Sequence, residues 1–167
     1  MKTLHFGEDR LTVARLAGVA HGTTKVAFPA STGSRLTEVR HAIEKLLSTD
    51  APNTYGVNTG FGALAEVRIP TVDLARLQTN LIRSHATGVG APFDVPTTRA
   101  MMALRANVLS VGTSGVRPAL PRLLTRMLQA GVHPIIPEKG RPMDKAVASA
   151  VTASLGYFLR DLLLMPR

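Results

Sequence analysis

A mainly α-helical unit with a small irregular or β amino-terminal part is what this sequence predicts. Apolar residues recur at helical spacing in several stretches of about 12 to 20 residues, which is the signature of amphipathic helices. Glycine- and proline-rich loops separate those stretches, and no internal repeat is present. With 167 residues, 45% of them hydrophobic, the chain can bury a core, since a domain of ~150 residues hides roughly 70% of its unfolded surface. One ordered unit is therefore expected rather than a disordered chain or several domains.

Taken in order, Leu11 to Phe28 holds short apolar pieces around Gly18 and Gly22, with a strand at Lys25 to Phe28. Ser34 can cap a helix on which Leu36, Val39, Ile43, Leu46 and Leu47 share a face, ending near Thr49. Asp50 to Asn53 is turn chemistry and leads into a loop from Tyr55 to Gly62, with glycines at 56, 60 and 62. Thr71 and Asp73 suit a helix start, Leu74, Leu77 and Leu81 form its stripe, and Gly88 and Gly90 end it. Pro92 and Pro96 set the next loop, and Thr97 caps a helix whose Met101, Leu104, Val108 and Val111 follow one face. Pro118 sits at the start of another, with Leu120, Leu123, Leu124, Met127 and Leu128 in register and Gly131 as the stop. A last helix is expected from Pro142 through Val147, Val151, Leu155, Phe158 and Leu162.

Cysteine is absent, which excludes disulfides, thiolate-ligated zinc, iron–sulfur clusters and cysteine nucleophiles. The charged amino terminus lacks the apolar stretch of an export signal, so a cytoplasmic location is expected. The most apolar segment, Ala146 to Leu159, is 14 residues long, short of the ~20 that a membrane span needs. It reads as a buried helix. Residues 1 to 98 carry 10 Lys+Arg against 8 Asp+Glu, whereas residues 99 to 167 carry 10 against 3. A basic excess can mark nucleic-acid binding, but these residues are singly spaced along amphipathic helices with few aromatics between them. Solvated helix faces, or a contact surface for another chain, explain the excess more simply.

The loop from Tyr55 to Gly62 is the strongest candidate for chemistry, because glycines let a backbone approach a ligand closely. It has neither the order of a dinucleotide fingerprint nor the Lys-Ser/Thr pair of a phosphate loop. A tyrosine can act as a general base, but a phenol with the ordinary pKa of ~10 is ionised to about one part in a thousand at pH 7. Cations or hydrogen-bond donors would have to favour the phenolate. His85 and Ser84 are consecutive on a helix and point to different faces, so they do not form a dyad. His5, His21, His41 and His133 show no metal-ligand spacing.

Four segments together identify a resemblance. Tyr55-Gly-Val-Asn-Thr-Gly-Phe-Gly62, Leu77-Gln-Thr-Asn-Leu-Ile-Arg-Ser-His-Ala-Thr-Gly-Val-Gly90, Gly112-Thr-Ser-Gly-Val-Arg-Pro118 and Pro134-Ile-Ile-Pro-Glu-Lys-Gly140 resemble, in order and spacing, the histidine ammonia-lyase family. Within the wider aromatic ammonia-lyase and aminomutase group, the Ser-His-Ala-x-Gly-Val-Gly version at 84 to 90 looks most like histidine lyases, although some tyrosine aminomutases carry a similar Ser-His. The resemblance covers residues 1 to 140, an ammonia-lyase-like amino-terminal region, and leaves 141 to 167 as a divergent carboxy-terminal helix.

What the resemblance implies is removal of ammonia from L-histidine to give urocanate. Tyr55 then corresponds to the base that takes the β-proton, His85 to a substrate-pocket position, and Asn58 and Gly62 to substrate-binding positions on the loop that closes over the site. Ser114 to Arg117 corresponds to a structural connection with a helix start. No metal or dissociable cofactor is implied. The family's electrophile is a methylidene-imidazolone made from an internal Ala-Ser-Gly, and no such triplet occurs in these 167 residues. Gly140 is followed instead by Arg-Pro-Met-Asp-Lys-Ala-Val-Ala-Ser-Ala. General acid–base catalysis alone contributes typically ~10² to 10⁴, below the ~10⁶ or more of enzymes, so the chain by itself is expected to be inactive.

Residues 141 to 167 read equally as a replacement helix, an out-of-frame tail or an adapted end. The alternatives to a lyase-like protein are a non-catalytic helical interaction or ligand-binding protein and a basic nucleic-acid-binding module. A homo-oligomer is the expected assembly, formed through the face of the last helix, or else a complex with a full-length lyase subunit. A monomer in which that helix folds back is the competing expectation. No membrane partner is expected.

Overall fold

The computed structural model describes residues 2–45, 52–55, 57–85 and 88–139. Strand β1 (Thr3–His5) pairs in parallel with β2 (Lys25–Ala27), in the register Thr3 to Lys25, Leu4 to Val26 and His5 to Ala27. Between them lies α1 (Val13–Ala20), capped by Thr12, whose hydroxyl accepts from the Arg15 N–H. The glycines at 18 and 22 leave no clear helical pattern here in the sequence. Gly18 marks a close approach instead: the N–H groups of Thr23 and Thr24 both donate to its carbonyl, and a Cβ would fall on the Thr24 hydroxyl.

The second helix, α2 (Ala30–Lys45), starts four residues before the expected cap. Ser34 lies inside it and its hydroxyl donates to the Ala30 carbonyl, the back-bonding typical of a mid-helix serine. Leu46 to Thr49 lie outside the described residues. Helix α3 (Thr71–His85) has the expected start. It is followed by β3 (Val89–Pro92), which pairs antiparallel with β4 (Pro137–Lys139). This two-stranded unit was not anticipated, because β3 is exposed throughout and has no alternation of apolar and polar residues.

Helix α4 (Val95–Val111) begins earlier than expected. Asp94 rather than Thr97 is its cap, with Oδ1 accepting from the Thr97 N–H at 2.8 Å. Pro96 belongs to the first helical turn, where a missing N–H costs nothing. Helix α5 (Ala119–Ala130) follows Pro118 and ends at Gly131 in the left-handed conformation, as its spacing predicts. The carboxy-terminal helix expected from Pro142 to Leu162 lies outside the described residues, as does the segment from Ala146 to Leu159. Among the described residues no helix is long and apolar enough to cross a membrane.

The core sits where α4 packs against α1 and α5, with the β1–β2 ribbon alongside. Leu4, Phe6, Val19, Met102, Ala103 and Ala106 are fully buried, and Leu109, Leu124 and Leu128 nearly so. Of the stripe expected on α4, Met101 packs partly against the core, but the other three residues do not line its buried face. Met102, Ala103, Ala106 and Leu109 face the core, while Leu104, Val108 and Val111 are 45%, 49% and 55% exposed. Both faces of this helix are apolar, so spacing alone could not separate them. The small side chains Ala103 and Ala106 mark the side on which neighbouring helices come close.

Candidate active site

The loop that carries Tyr55 is built mainly from local hydrogen bonds. The Asn58 side chain is 2% exposed by residue and reaches back along its own turn. Its Oδ1 accepts from the Thr54 N–H at 2.7 Å, and its Nδ2 donates to the Pro52 carbonyl at 3.0 Å. The backbone N–H groups of Val57 and Asn58 both donate to the Thr54 carbonyl. Farther along, Ile69 N–H donates to the Asn58 carbonyl at 2.9 Å and Gly60 N–H to the Val67 carbonyl at 3.0 Å, while Thr59 bridges Arg68 antiparallel. Asn53 Nδ2 adds a bond to the Glu66 carbonyl at 3.0 Å. Residues 52–60 are thereby fastened to 66–69, just before α3 begins.

Tyr55 stands on this clasp with 64% of its surface exposed. Its ring meets that of Phe61 edge to face, with centroids 5.8 Å apart and planes at 79°. The reversal at the loop tip is a 3₁₀ turn, Gly62–Leu64, in which Gly62 has φ +58°. Gly60 is required by crowding: a Cβ there would come within 2.6 Å of Leu64 Cβ and 2.8 Å of its carbonyl oxygen. Tyr55, Asn58 and Gly62 are thus brought together on one loop. His85 is the last residue of α3, about 21 Å along the helix from Thr71 at ~1.5 Å per residue. The three loop residues share one hydrogen-bonded loop, and the side chain of His85 lies outside what the structure describes. The supports that sequence reasoning missed are Pro52, Asn53 and Thr54; the signal was present in Asn58, whose short carboxamide readily closes backbone turns.

Carboxylates held below their ordinary range lie elsewhere. The His5 N–H lowers Asp9, the Arg40 guanidinium lowers Glu44, and the hydroxyl and N–H of Thr97 lower Asp94. No cluster of His, Asp and Glu suited to a metal occurs among the described residues. Several basic residues of the acid-poor second part have structural partners. Arg99 donates to the Val19 and Leu128 carbonyls, Arg117 lies 3.8 Å from Glu44, and Arg122 stacks over Phe28 at 5.5 Å.

The Ala-Ser-Gly precursor of the methylidene-imidazolone that the resemblance implies does not occur in the 167 residues. The nearest triplet, Thr113-Ser114-Gly115, joins α4 to α5, where the Gly115 carbonyl accepts from Arg40 Nη1 at 3.4 Å and a Cβ on Gly115 would collide with Ile43. It is a packed connector between helices.

Comparison with known proteins adds a family. Residues 11–141 match the family model described as aromatic amino acid lyase. The histidine ammonia-lyase of Anaeromyxobacter sp. (strain K) is 46% identical over 140 residues, covering 84% of this chain and 27% of the relative. That of Geobacillus thermodenitrificans (strain NG80-2) is 44% identical over 130 residues, covering 78% of this chain and 26% of the relative. Among solved structures, the histidine ammonia-lyase of Trypanosoma cruzi superposes with a TM-score of 0.74 at 32% identity, over 92% of this chain and 30% of that one. A tyrosine aminomutase from Streptomyces globisporus gives 0.75 at 35% identity, over 83% of this chain and 26% of that one. The chain spans about a quarter of the length of the curated relatives it matches.

Proposed function

The chain belongs to the aromatic amino acid lyase family, and on that premise we propose that it carries the base-bearing portion of a histidine ammonia-lyase-type site and is inactive by itself. The observation that supports this reading is the presentation of Tyr55, held by a hydrogen-bonded loop yet 64% exposed. In such a site the Tyr55 phenol oxygen receives the proton from the β-carbon of histidine. His85 lines the substrate pocket, and Asn58 and Gly62 shape the loop that covers it. Without the Ala-Ser-Gly precursor, no electrophile forms within these residues to activate the amino group for departure, and a base alone leaves the barrier high.

The test is a sensitive histidine-to-urocanate assay on the purified 167-residue chain, with spectroscopy for the prosthetic group. No urocanate above the buffer control is expected. Turnover abolished by Tyr55→Phe would overturn the proposed inactivity. Assembly with a second copy or with a full-length lyase subunit accompanies this proposal, and the outer stripe of α4, Leu104, Val108 and Val111, supports it by exposing apolar surface. Light scattering across a concentration series, with and without a full-length lyase, tests that part: a strictly monomeric mass in both would refute it.

A further inference from the structure

We propose that Asn58 is a positioning residue for Tyr55, acting through the loop backbone rather than by contact with substrate. The inference rests on the lyase-type reading of Tyr55 but is carried by the loop's own geometry. The Asn58 carboxamide grips the chain on the amino-terminal side of Tyr55 at two points, the Pro52 carbonyl and the Thr54 N–H. Residue 54 is the immediate neighbour of Tyr55: its N–H lies in the peptide plane before it and its carbonyl in the plane that leads into Tyr55, so holding both fixes the backbone from which the tyrosine projects. The Asn58 N–H and the Val57 N–H close the turn from the other side onto the Thr54 carbonyl. Asn58 itself is anchored by its carbonyl to Ile69.

Burial strengthens the assignment. At 2% exposure, Asn58 offers almost no surface to a ligand, whereas Tyr55, three residues earlier, is 64% exposed. A buried carboxamide needs its hydrogen bonds, since each unsatisfied polar group inside a protein costs about 1 to 3 kcal/mol. Both heteroatoms are engaged with main-chain groups of the same turn. The edge-on contact with Phe61 then supplies a second constraint on the tyrosine ring. Asparagine suits the position because it supplies an acceptor and a donor from one short planar group. Aspartate keeps the acceptor for Thr54 but puts a lone pair against the Pro52 carbonyl, and leucine keeps the volume without either bond.

The experiment uses the 167-residue chain, labelled for NMR at tyrosine rings and methyl groups, together with Asn58→Asp and Asn58→Leu. Chymotryptic cleavage after Tyr55 is measured in parallel by mass spectrometry. In both variants the Tyr55 ring resonance is expected to move toward its random-coil position and to lose its cross-peak to Phe61. Core methyl signals from Leu4, Leu109 and Leu124 should stay in place. Cleavage at Tyr55 should rise about five- to tenfold, the factor that corresponds to losing about one hydrogen bond's worth of local stability. An unchanged Tyr55 resonance and cleavage rate in Asn58→Leu would overturn the proposal. If Asn58→Leu does not fold, Asn58→Asp decides on the same readouts. Adding histidine to the wild-type chain separates the two proposals: no binding counts against the lyase-type site and leaves the positioning result standing, whereas an intermolecular cross-peak from histidine to the Asn58 amide would refute the positioning role.

Discussion

In the core formed by β1, β2, α1, α4 and α5 the least exposed apolar side chains include Leu4, Phe6, Val19, Met102 and Leu124, whereas between Pro52 and Pro92 the buried described residues are Asn58, Thr59 and Gly60. The first region is held by apolar contact among elements far apart in sequence. In the second, the loop that presents Tyr55 is held by described hydrogen bonds between residues at most 13 apart, such as Asn53 to Glu66. Apolar burial contributes ~1.5 to 3 kcal/mol for each large side chain, while a hydrogen bond that replaces one to water contributes ~0.5 to 1.5 kcal/mol. Global stability therefore resides around α4, and the region that presents Tyr55 has a defined local shape on a weaker footing. Catalytic loops commonly stand in this relation to the scaffold that positions them.

The largest expected effect tests that division directly. Leu124 is 1% exposed in the core, so Leu124→Ala is expected to lower unfolding stability by ~2 to 5 kcal/mol. Leu74 on α3 is only half-buried, and Leu74→Ala should cost less than ~1 kcal/mol. Urea denaturation of both variants provides the comparison. Equal losses would show that α3 belongs to the cooperative core, and the contrast between the two regions would then fail.

A charged pair of substitutions sharpens the same contrast at a smaller scale. Arg99 of α4 donates to Val19 O and Leu128 O, each at 3.1 Å, tying the carboxy-terminal ends of α1 and α5 to the central helix. A cation at helix carboxy termini is also favourably placed in the field of their dipoles. Arg99→Met retains most of the aliphatic volume and should cost about 2 kcal/mol, in line with hydrogen bonds from a charged donor. Arg76 of α3 pairs with Asp73 at 3.0 Å but is 75% exposed. Arg76→Met should change stability by less than ~0.5 kcal/mol, since an exposed ion pair is screened and costs side-chain entropy to hold. A larger effect at Arg76 than at Arg99 would reverse the assignment of where stability lies.

The two regions also differed in how far they could be read from sequence. Helix α5 was legible because one face is apolar, a proline precedes it and Gly131 stops it. Helix α4 was legible as a helix but not in its orientation, since Leu104, Val108 and Val111 compete with Met102, Ala106 and Leu109 for the core. Only the position of α1 and α5 breaks that tie, and this is tertiary information. The β3–β4 pair was hidden because it depends on Phe93 N–H meeting the Ile136 carbonyl across more than 40 residues, not on local pattern. At the candidate site, glycines and motif order drew attention to the loop from Tyr55 to Gly62. Neither disclosed that Asn58 would turn inward onto Pro52 and Thr54.

The smallest expected effect concerns the amino-terminal cap of α4, on the more stable side of the comparison. Asp94 is held below its ordinary carboxyl value of 3.8 by hydrogen bonds from the Thr97 hydroxyl and N–H, with His21 adding a favourable charge. A carboxylate whose pKa is lowered by folding stabilises the folded state fully above the unfolded-state value. That contribution is lost as pH falls through the lower folded-state value. Asp94→Asn keeps a capping oxygen for the Thr97 N–H but removes the titration. The wild-type chain should therefore have the higher melting temperature near neutral pH, and its advantage over Asp94→Asn should shrink as pH drops below 3.8. Asp9 and Glu44 shift in the same direction but are common to both proteins, so their contributions cancel in the difference. Melting curves that stay parallel from neutral pH into the acid range would show that the Asp94 charge does not stabilise α4. In that case the neutral cap and the apolar packing of Met102, Ala106 and Leu109 would suffice to hold the helix.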